Sequence, residues 1–277
     1  MKKKKTISKV MLQMILGGFV FIQLFPLYWL LTFSLKNNLE IFGGNIMGLP
    51  EHFRIENYVY ALRNGDIMLY LFNSAFVTTV TVVCSCFFGA MAAYAIVRMR
   101  WKLAKTVLNF FLLGTMIPLH AVLLPLFLTL NKAGILNSYW ALIIPYTAFA
   151  LPMAIFIFTG FLETIPKEME EAACMDGCGI YQTFLVIIMP LLKPALATVS
   201  IFTFLSTWNE LMFATTFITD RKFKTMTVGI MSFVSQYRTE WGPIGASLVI
   251  AVIPTIVIYV LMSKQIQESF RAGGLKG

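Results

Sequence analysis

Charge is scarce in this sequence. Asp, Glu, Lys and Arg together make up 13% of its 277 residues, where a soluble domain carries about 25%. Hydrophobic residues take 58% instead, more apolar surface than a soluble fold of this size can hide, and a bilayer removes the need to hide it. That composition excludes a soluble enzyme or binding module. Histidine is rarer still, with only His52 and His120. The four cysteines, Cys84, Cys86, Cys174 and Cys178, make no disulfide framework. Cys84 and Cys86 fall inside an apolar run, where thiols behave as small hydrophobes. Cys174 and Cys178 have helical i, i+4 spacing, but both histidines lie far away in sequence, so no metal site is expected. No G-x-x-x-x-G-K-S/T phosphate loop occurs, so hydrolysis of ATP by that route is not expected of this chain. A catalytic His or Asp cluster and a Ser/His constellation are missing, as are the pore-loop repeats of an ion channel. The net charge of +9 comes without a basic run interleaved with aromatics, so it reads as membrane topology and no nucleic acid is expected as a partner.

What is present in quantity is long apolar segments. Six of them, 10–33, 71–97, 107–130, 139–161, 191–217 and 244–262, can cross about 30 Å of hydrocarbon at about 1.5 Å per residue. The expected fold is all-α and polytopic, with six transmembrane helices. Lys2, Lys3, Lys4 and Lys5 precede an apolar stretch too long for a signal-peptide core and without a small-residue cleavage site, so an uncleaved first span is expected. With the N-terminus inside, fourteen Lys and Arg fall on the inner side and eight on the outer, which puts both termini in the cytoplasm. The predicted organisation is a cytoplasmic tail at 1–9, a first helix at 10–33 and an extracellular loop at 34–70. A core with five spans follows at 71–262, with a cytoplasmic loop at 163–189 and a tail at 263–277.

The loop 163–189 carries the densest pattern. Pro166 stands where a helix can begin, and Glu168, Glu170 and Glu171 suit the positive end of the helix dipole. The helix is expected to reach about Asp176 and to break at Gly177 and Gly179. A second short helix from Ile180, with Phe184, Ile187 and Ile188 on one side, is expected to end before Pro190. In the fifth segment Ser200, Thr203, Thr207 and Glu210 are separated by three, four and three residues, one face of a helix. Trp208 and Asn209 neighbour this stripe, and an ionisable group in a span usually faces a bundle interior or a cavity. Pro118, Pro125, Pro145, Pro152 and Pro254 can kink their spans. The alternative reading, a stand-alone ion-coupled secondary transporter, would normally place carboxylates in several spans, and Glu210 is the sole candidate.

Glu171-Ala172-Ala173, Gly177, Ile187 and Pro190 are spaced so that the loop resembles the EAA motif of ABC importer permeases. Met189 replaces the family's usual leucine. Asp176 beside Gly177, and Lys193-Pro194 after the motif, resemble its carbohydrate-transporter version. Asn57-Tyr58, Asn73-Ser74, Ala93-Tyr94-Ala95 and Arg98 match the family's layout. Trp208-Asn209-Glu210 resembles the signature of the oligosaccharide-type permeases, although Leu211-Met212 stands in place of their common Pro-Leu pair.

The resemblance extends over nearly the whole chain and is strongest to the tail-bearing permease of the maltose transporter. It implies a type I ABC importer permease fold in a bacterial cytoplasmic membrane. It also implies a docking element of Glu171, Ala172, Ala173, Asp176 and Gly177, completed by Ile187 and Pro190. A sugar path along Ser200, Thr203, Thr207, Trp208, Asn209 and Glu210 follows, and a tail contact with the ATPase through Gly273, Gly274 and Lys276. The implied partners are a homologous second permease in a heterodimer, two ATPase subunits that use ATP and Mg, an extracellular solute-binding protein and a carbohydrate substrate. No cofactor is expected on this chain, which is a permease subunit and not an enzyme.

Overall fold

A computed structural model describes residues 2–99, 101–234 and 239–274. Helices account for nearly all the regular structure among them, and the only strand-like feature is an isolated bridge between Val234 and Thr239. Four helices are long and apolar enough to cross a membrane: Met11–Ser34, Ile67–Arg98, Trp140–Leu162 and Trp241–Gln265. They belong to α1 (Lys2–Ser34), α4 (Ile67–Arg98), α7 (Trp140–Leu162) and α14 (Trp241–Gly274). Two further candidates among the described residues are bent pairs, Ala104–Gly114 with Leu119–Lys132 at 90° and Ile180–Leu191 with Lys193–Trp208 at 77°. Counting each pair as one gives six.

The breaks are where the structure departs from six uninterrupted segments. Segment 107–130 divides into α5 (Ala104–Gly114) and α6 (Leu123–Lys132), with a short 3-10 turn at Leu119–Val122. Pro118 cannot donate to the helical ladder and its φ of −63° is followed by an extended ψ of 121°. The preceding amides of Thr115, Met116 and Ile117 already turn back to carbonyls three residues earlier, so the helix unwinds before the proline. Segment 191–217 divides into α11 (Lys193–Trp208) and α12 (Met212–Phe217). At the ends of the chain the expected tails are helical instead, α1 starting at Lys2 and α14 reaching Gly274. Ser263 to Ala272 holds no Pro or Gly, so a helix already nucleated in the last span simply propagates.

The chain forms two compact units, Met1–Met68 with Gly229–Ile253, and Leu69–Val228 with Pro254–Gly277. In the first, α2 (Asn38–Phe42) and α3 (Glu56–Asn64) lie in the outer loop. Asn57 donates to the carbonyls of Ser34 and Lys36 at 2.8 and 2.9 Å, which supplies partners at the buried C-terminal end of α1. Lys36 is fully buried and its Nζ donates to the carbonyls of Asn45 and Ile46.

The second unit is organised around α7. One apolar cluster joins Ala90 and Tyr94 of α4, Phe158 and Leu162 of α7, Phe184 and Ile188 of the loop, and Ala195 and Val199 of α11. A second joins Val77, Leu142, Tyr146, Phe213 and Phe217. Lipid removes most of the hydrophobic drive between helices, so close packing of small residues must hold them. Gly89 supplies it between α4 and α7: a Cβ there would stand 2.8 Å from that of Ala154.

Candidate functional site

The loop between α7 and α11 folds as a short helix, a sharp reversal and a widened helix. In α8 (Glu168–Met175) the carboxylates of Glu168, Glu170 and Glu171 occupy the first turn, where unbonded N–H groups favour negative charge. Asp176 caps the helix and Gly177 follows at φ +80°. Cys178 N–H donates to Ala173 O at 2.9 Å and Gly177 N–H to Cys174 O at 3.0 Å, the paired bonds of a Schellman ending. The reversal expected at Gly177 is therefore built from a left-handed residue plus two specific hydrogen bonds.

After the turn the helix does not stop at Pro190 as the sequence suggested. It runs from α9 (Ile180–Gln182) through a π-helical stretch, Thr183–Ile188, into α10 (Met189–Leu191), and bends at Leu192 before α11. Pro190 has no N–H for the Val186 carbonyl and Pro194 none for Pro190. A π stretch and a bend accommodate both without ending the helix.

Of the expected docking residues, Glu171, Ala172, Asp176 and Gly177 are exposed together, while Ala173 is turned inward at 5% exposure. Ile187 is half-buried, Pro190 is exposed, and Ile188 beside them is fully buried. Two exposed side chains on the same loop, Met175 and Tyr181, escaped the sequence reading.

The sequence reading also missed what holds the loop. Arg98, the last residue of α4, places Nε 2.7 Å from Glu170 Oε1. The N–H does not point along that line, so the contact is an ion pair and not a straight hydrogen bond. Arg98 Nη2 donates to the carbonyls of Leu162 at 3.0 Å and Ile165 at 2.6 Å, and Tyr94 Oη donates to Glu170 Oε2 at 3.3 Å. An arginine ending an apolar span was visible in the sequence, but its partner was not.

The expected path residues separate. Ser200 and Trp208, with Phe204 between them, line a groove of about 540 Å³ shared with Thr78 and Thr79 of α4 and Pro254, Ile258 and Met262 of α14. Thr203 faces a different hollow with Ser206, Phe149 and Met153. Thr207 is buried and Asn209 folds back, its Nδ2 donating to Leu205 O at 2.9 Å. Glu210 lies beyond the end of α11, so it does not continue the stripe. Its Oε1 accepts from Phe213 N–H at 2.8 Å, and its Oε2 accepts from Ala214 N–H at 3.1 Å and Tyr146 Oη at 2.6 Å. The carboxylate that motivated the ion-coupled alternative is thus occupied with starting α12. Gly273 and Gly274 close α14, and Lys276 lies outside the described residues. Among the described residues, no group of three His, Cys, Asp or Glu could hold a metal ion.

Apolar helices, two pairs of them bent, with an exposed helix held by a braced loop describe a polytopic helical membrane protein. The chain belongs to the family described as binding-protein-dependent transport system inner membrane component, which matches residues 85–271. It is 37% identical over 253 residues to the probable ABC transporter permease protein YurM of Bacillus subtilis, covering 91% of this chain and 84% of that one. It is 32% identical over 254 residues to the sulfoquinovosyl glycerol transport system permease protein SmoH of Agrobacterium fabrum, covering 92% and 89%. The fold superposes with a TM-score of 0.81 on a chain of a bacterial ABC transporter involved in import of the polysaccharide alginate, at 23% identity over 95% of this chain and 98% of that one. The chain is an integral membrane permease of an ABC transporter.

Proposed function

We infer that this permease imports a carbohydrate, an oligosaccharide or sugar derivative, as one half of a heterodimer with a homologous permease. Two separate ATPase subunits, using ATP and Mg, drive it from the cytoplasmic side of a bacterial cell membrane, the side on which both termini lie. An extracellular solute-binding protein delivers the sugar. The observation that carries this reading is the exposed face of Glu171, Ala172, Asp176 and Gly177 on a helix ended by a Schellman turn. Such a face presents a small, Ala-lined surface to a cleft on another protein. Sugar as cargo is supported by the relative that serves sulfoquinovosyl glycerol transport and by Trp208 and Ser200 lining one groove, since an aromatic face and a hydroxyl are the groups a sugar ring uses.

In this mechanism the two permeases rock against each other as the ATPases close and open, exposing the path alternately to each side. Ser200 and Trp208 line the path on α11, Thr203 and Thr207 support the helix beside it, and Asn209 and Glu210 form its break. Gly273, Gly274 and Lys276 belong to the segment that reaches the ATPases.

The test is cysteine cross-linking from Ala172 in membranes, with the native thiols removed and cysteines placed in the cleft of the candidate ATPases. A cross-link that changes with nucleotide is the expected result. An inserted, folded protein that links to no ATPase would overturn the assignment.

A further inference from the structure

Glu170 stands one residue before the docking motif, yet it carries the most connected carboxylate of the loop. Its ion pair with Arg98 and its hydrogen bond from Tyr94 tie α8 to the end of α4. The same guanidinium holds the carbonyls of Leu162, the last residue of α7, and of Ile165 in the following turn. Three elements therefore end on one pair of charges. The side chains of Arg98 and Glu170 are 6% and 17% exposed, so water and salt do not screen the pair as they screen a surface salt bridge.

A connector between two spans requires none of this, because carbonyls at a helix end can be satisfied by water. Without the brace, α8 would be held only by residues 163–167 and by apolar packing through the inward-turned Ala173, and a push on α8 would be absorbed largely in that turn. With it, the turn is spanned from Ile165 to Glu170 through Arg98. The chain beyond Gly177 is tied to the same place, since the Phe184 ring lies 5.2 Å from that of Tyr94.

We propose that Arg98 is a positioning residue for transport: with Glu170 and Tyr94 it locks the docking helix to the ends of α4 and α7. Movement at Glu171–Gly177 then reaches the membrane spans, and movement of the spans reaches the ATPases. This rests on the function inferred above and adds to it the route of coupling. Glu171 serves the partner and Glu170 serves the permease. A purely architectural pair would change how much transporter assembles. A positioning pair changes what each assembled transporter does.

The experiment uses the whole transporter in proteoliposomes, with ATP hydrolysis measured with and without the solute-binding protein as purified. The Ala172→Cys cross-link to the ATPase is scored in parallel. Glu170→Gln keeps the shape of the side chain and removes its charge. Expected is a retained cross-link with about a tenfold smaller stimulation by the binding protein, the size that broken coupling contacts reach. Arg98→Lys, which keeps the charge but not the fork, should fall between that variant and the parent. Unchanged stimulation in Glu170→Gln would overturn the proposal, and so would a parent that cross-links but is not stimulated, because there is then no signal to carry. If Glu170→Gln does not assemble, Glu170→Asp is read in the same way. Failure of both to assemble would make the brace architectural and end the proposal. A parent with no cross-link at all refutes the function itself, which separates the two failures.

Discussion

Glu170 and Glu171 are adjacent in the first turn of one helix and face opposite worlds. Glu170 is half-buried against Arg98, while Glu171 is exposed and makes no side-chain hydrogen bond or ion pair among the described residues. One helical step of about 100° separates them, enough to divide an internal tether from an external contact.

That division predicts opposite outcomes for two alanine variants. Glu170→Ala strands the Arg98 charge at 6% exposure, and removing one member of a buried pair costs about 3 kcal/mol. The carbonyls of Leu162 and Ile165 keep the figure at this lower end. Glu171→Ala changes stability by about 0.5 kcal/mol or less but weakens retention of the ATPase. Melting of the purified permease and co-purification of the ATPase read the two effects separately; equal melting temperatures would contradict the assignment.

Gly177 is the second sensitive point, because its φ is +80°. Nothing lies within 4 Å of a Cβ built there, so Gly177→Ala meets no steric wall and loses only the conformational term, about 1–2 kcal/mol. Gly177→Pro forces φ to about −65° and deletes the N–H that bonds Cys174 O. It should leave the protein in the membrane and abolish ATPase coupling, measured as binding-protein-stimulated hydrolysis. Normal transport by the proline variant would rule out a docking turn here.

How far the sequence reached follows from the kind of signal involved. Apolar length marked four long helices and most of two bent pairs, although the second pair begins at Ile180, inside the loop expected at 163–189. The Glu171-Ala172-Ala173 and Gly177 spacing marked the helix and turn of that loop, because both signals are written in consecutive residues. Pro118 was recognised as a kink, but a 90° turn in place of a bend depends on the unwound amides before it. The stripe from Ser200 to Glu210 assumed a continuous helix. Asn209 and Glu210 end that helix through their own hydrogen bonds, which moved Glu210 off the face. Arg98 with Glu170, and Tyr146 with Glu210, are pairs far apart in sequence, and no local pattern announces such a partner.

Asn73 and Ser74 illustrate a pair whose purpose only the structure supplies. Asn73 Nδ2 donates to the carbonyls of Lys222 and Lys224, both at 2.9 Å, its Oδ1 accepts from Tyr139 Oη at 2.8 Å, and Ser74 Oγ accepts from Met226 N–H at 2.8 Å. Together they pin the turn before α13 (Met226–Met231). Asn73→Ala removes the shared partner of the Lys222 and Lys224 carbonyls and of the Tyr139 hydroxyl and should cost about 1–2 kcal/mol. The loss should show as faster proteolysis within 219–226 before global melting. Unchanged cleavage there would mean that the turn holds without Asn73.

Glu210 separates a hinge from a sugar ligand. Its carboxylate is saturated by Tyr146 and by the first amides of α12, so it has little left to offer a substrate. Its backbone oxygen also accepts from Thr227 Oγ1 at 2.8 Å. Glu210→Gln keeps one carbonyl acceptor and puts a donor where an acceptor was needed, which should cost about 1–3 kcal/mol and lower the maximal transport rate. Trp208→Ala, by contrast, removes an aromatic wall of the groove and should raise the half-saturating sugar concentration. Kinetics of uptake by the two variants decide the matter, because loss of a ligand and loss of a hinge act on different constants. A large rise in the half-saturating concentration for Glu210→Gln, at an unchanged maximal rate, would return Glu210 to the substrate. The reverse pattern places the break between α11 and α12 among the parts that move.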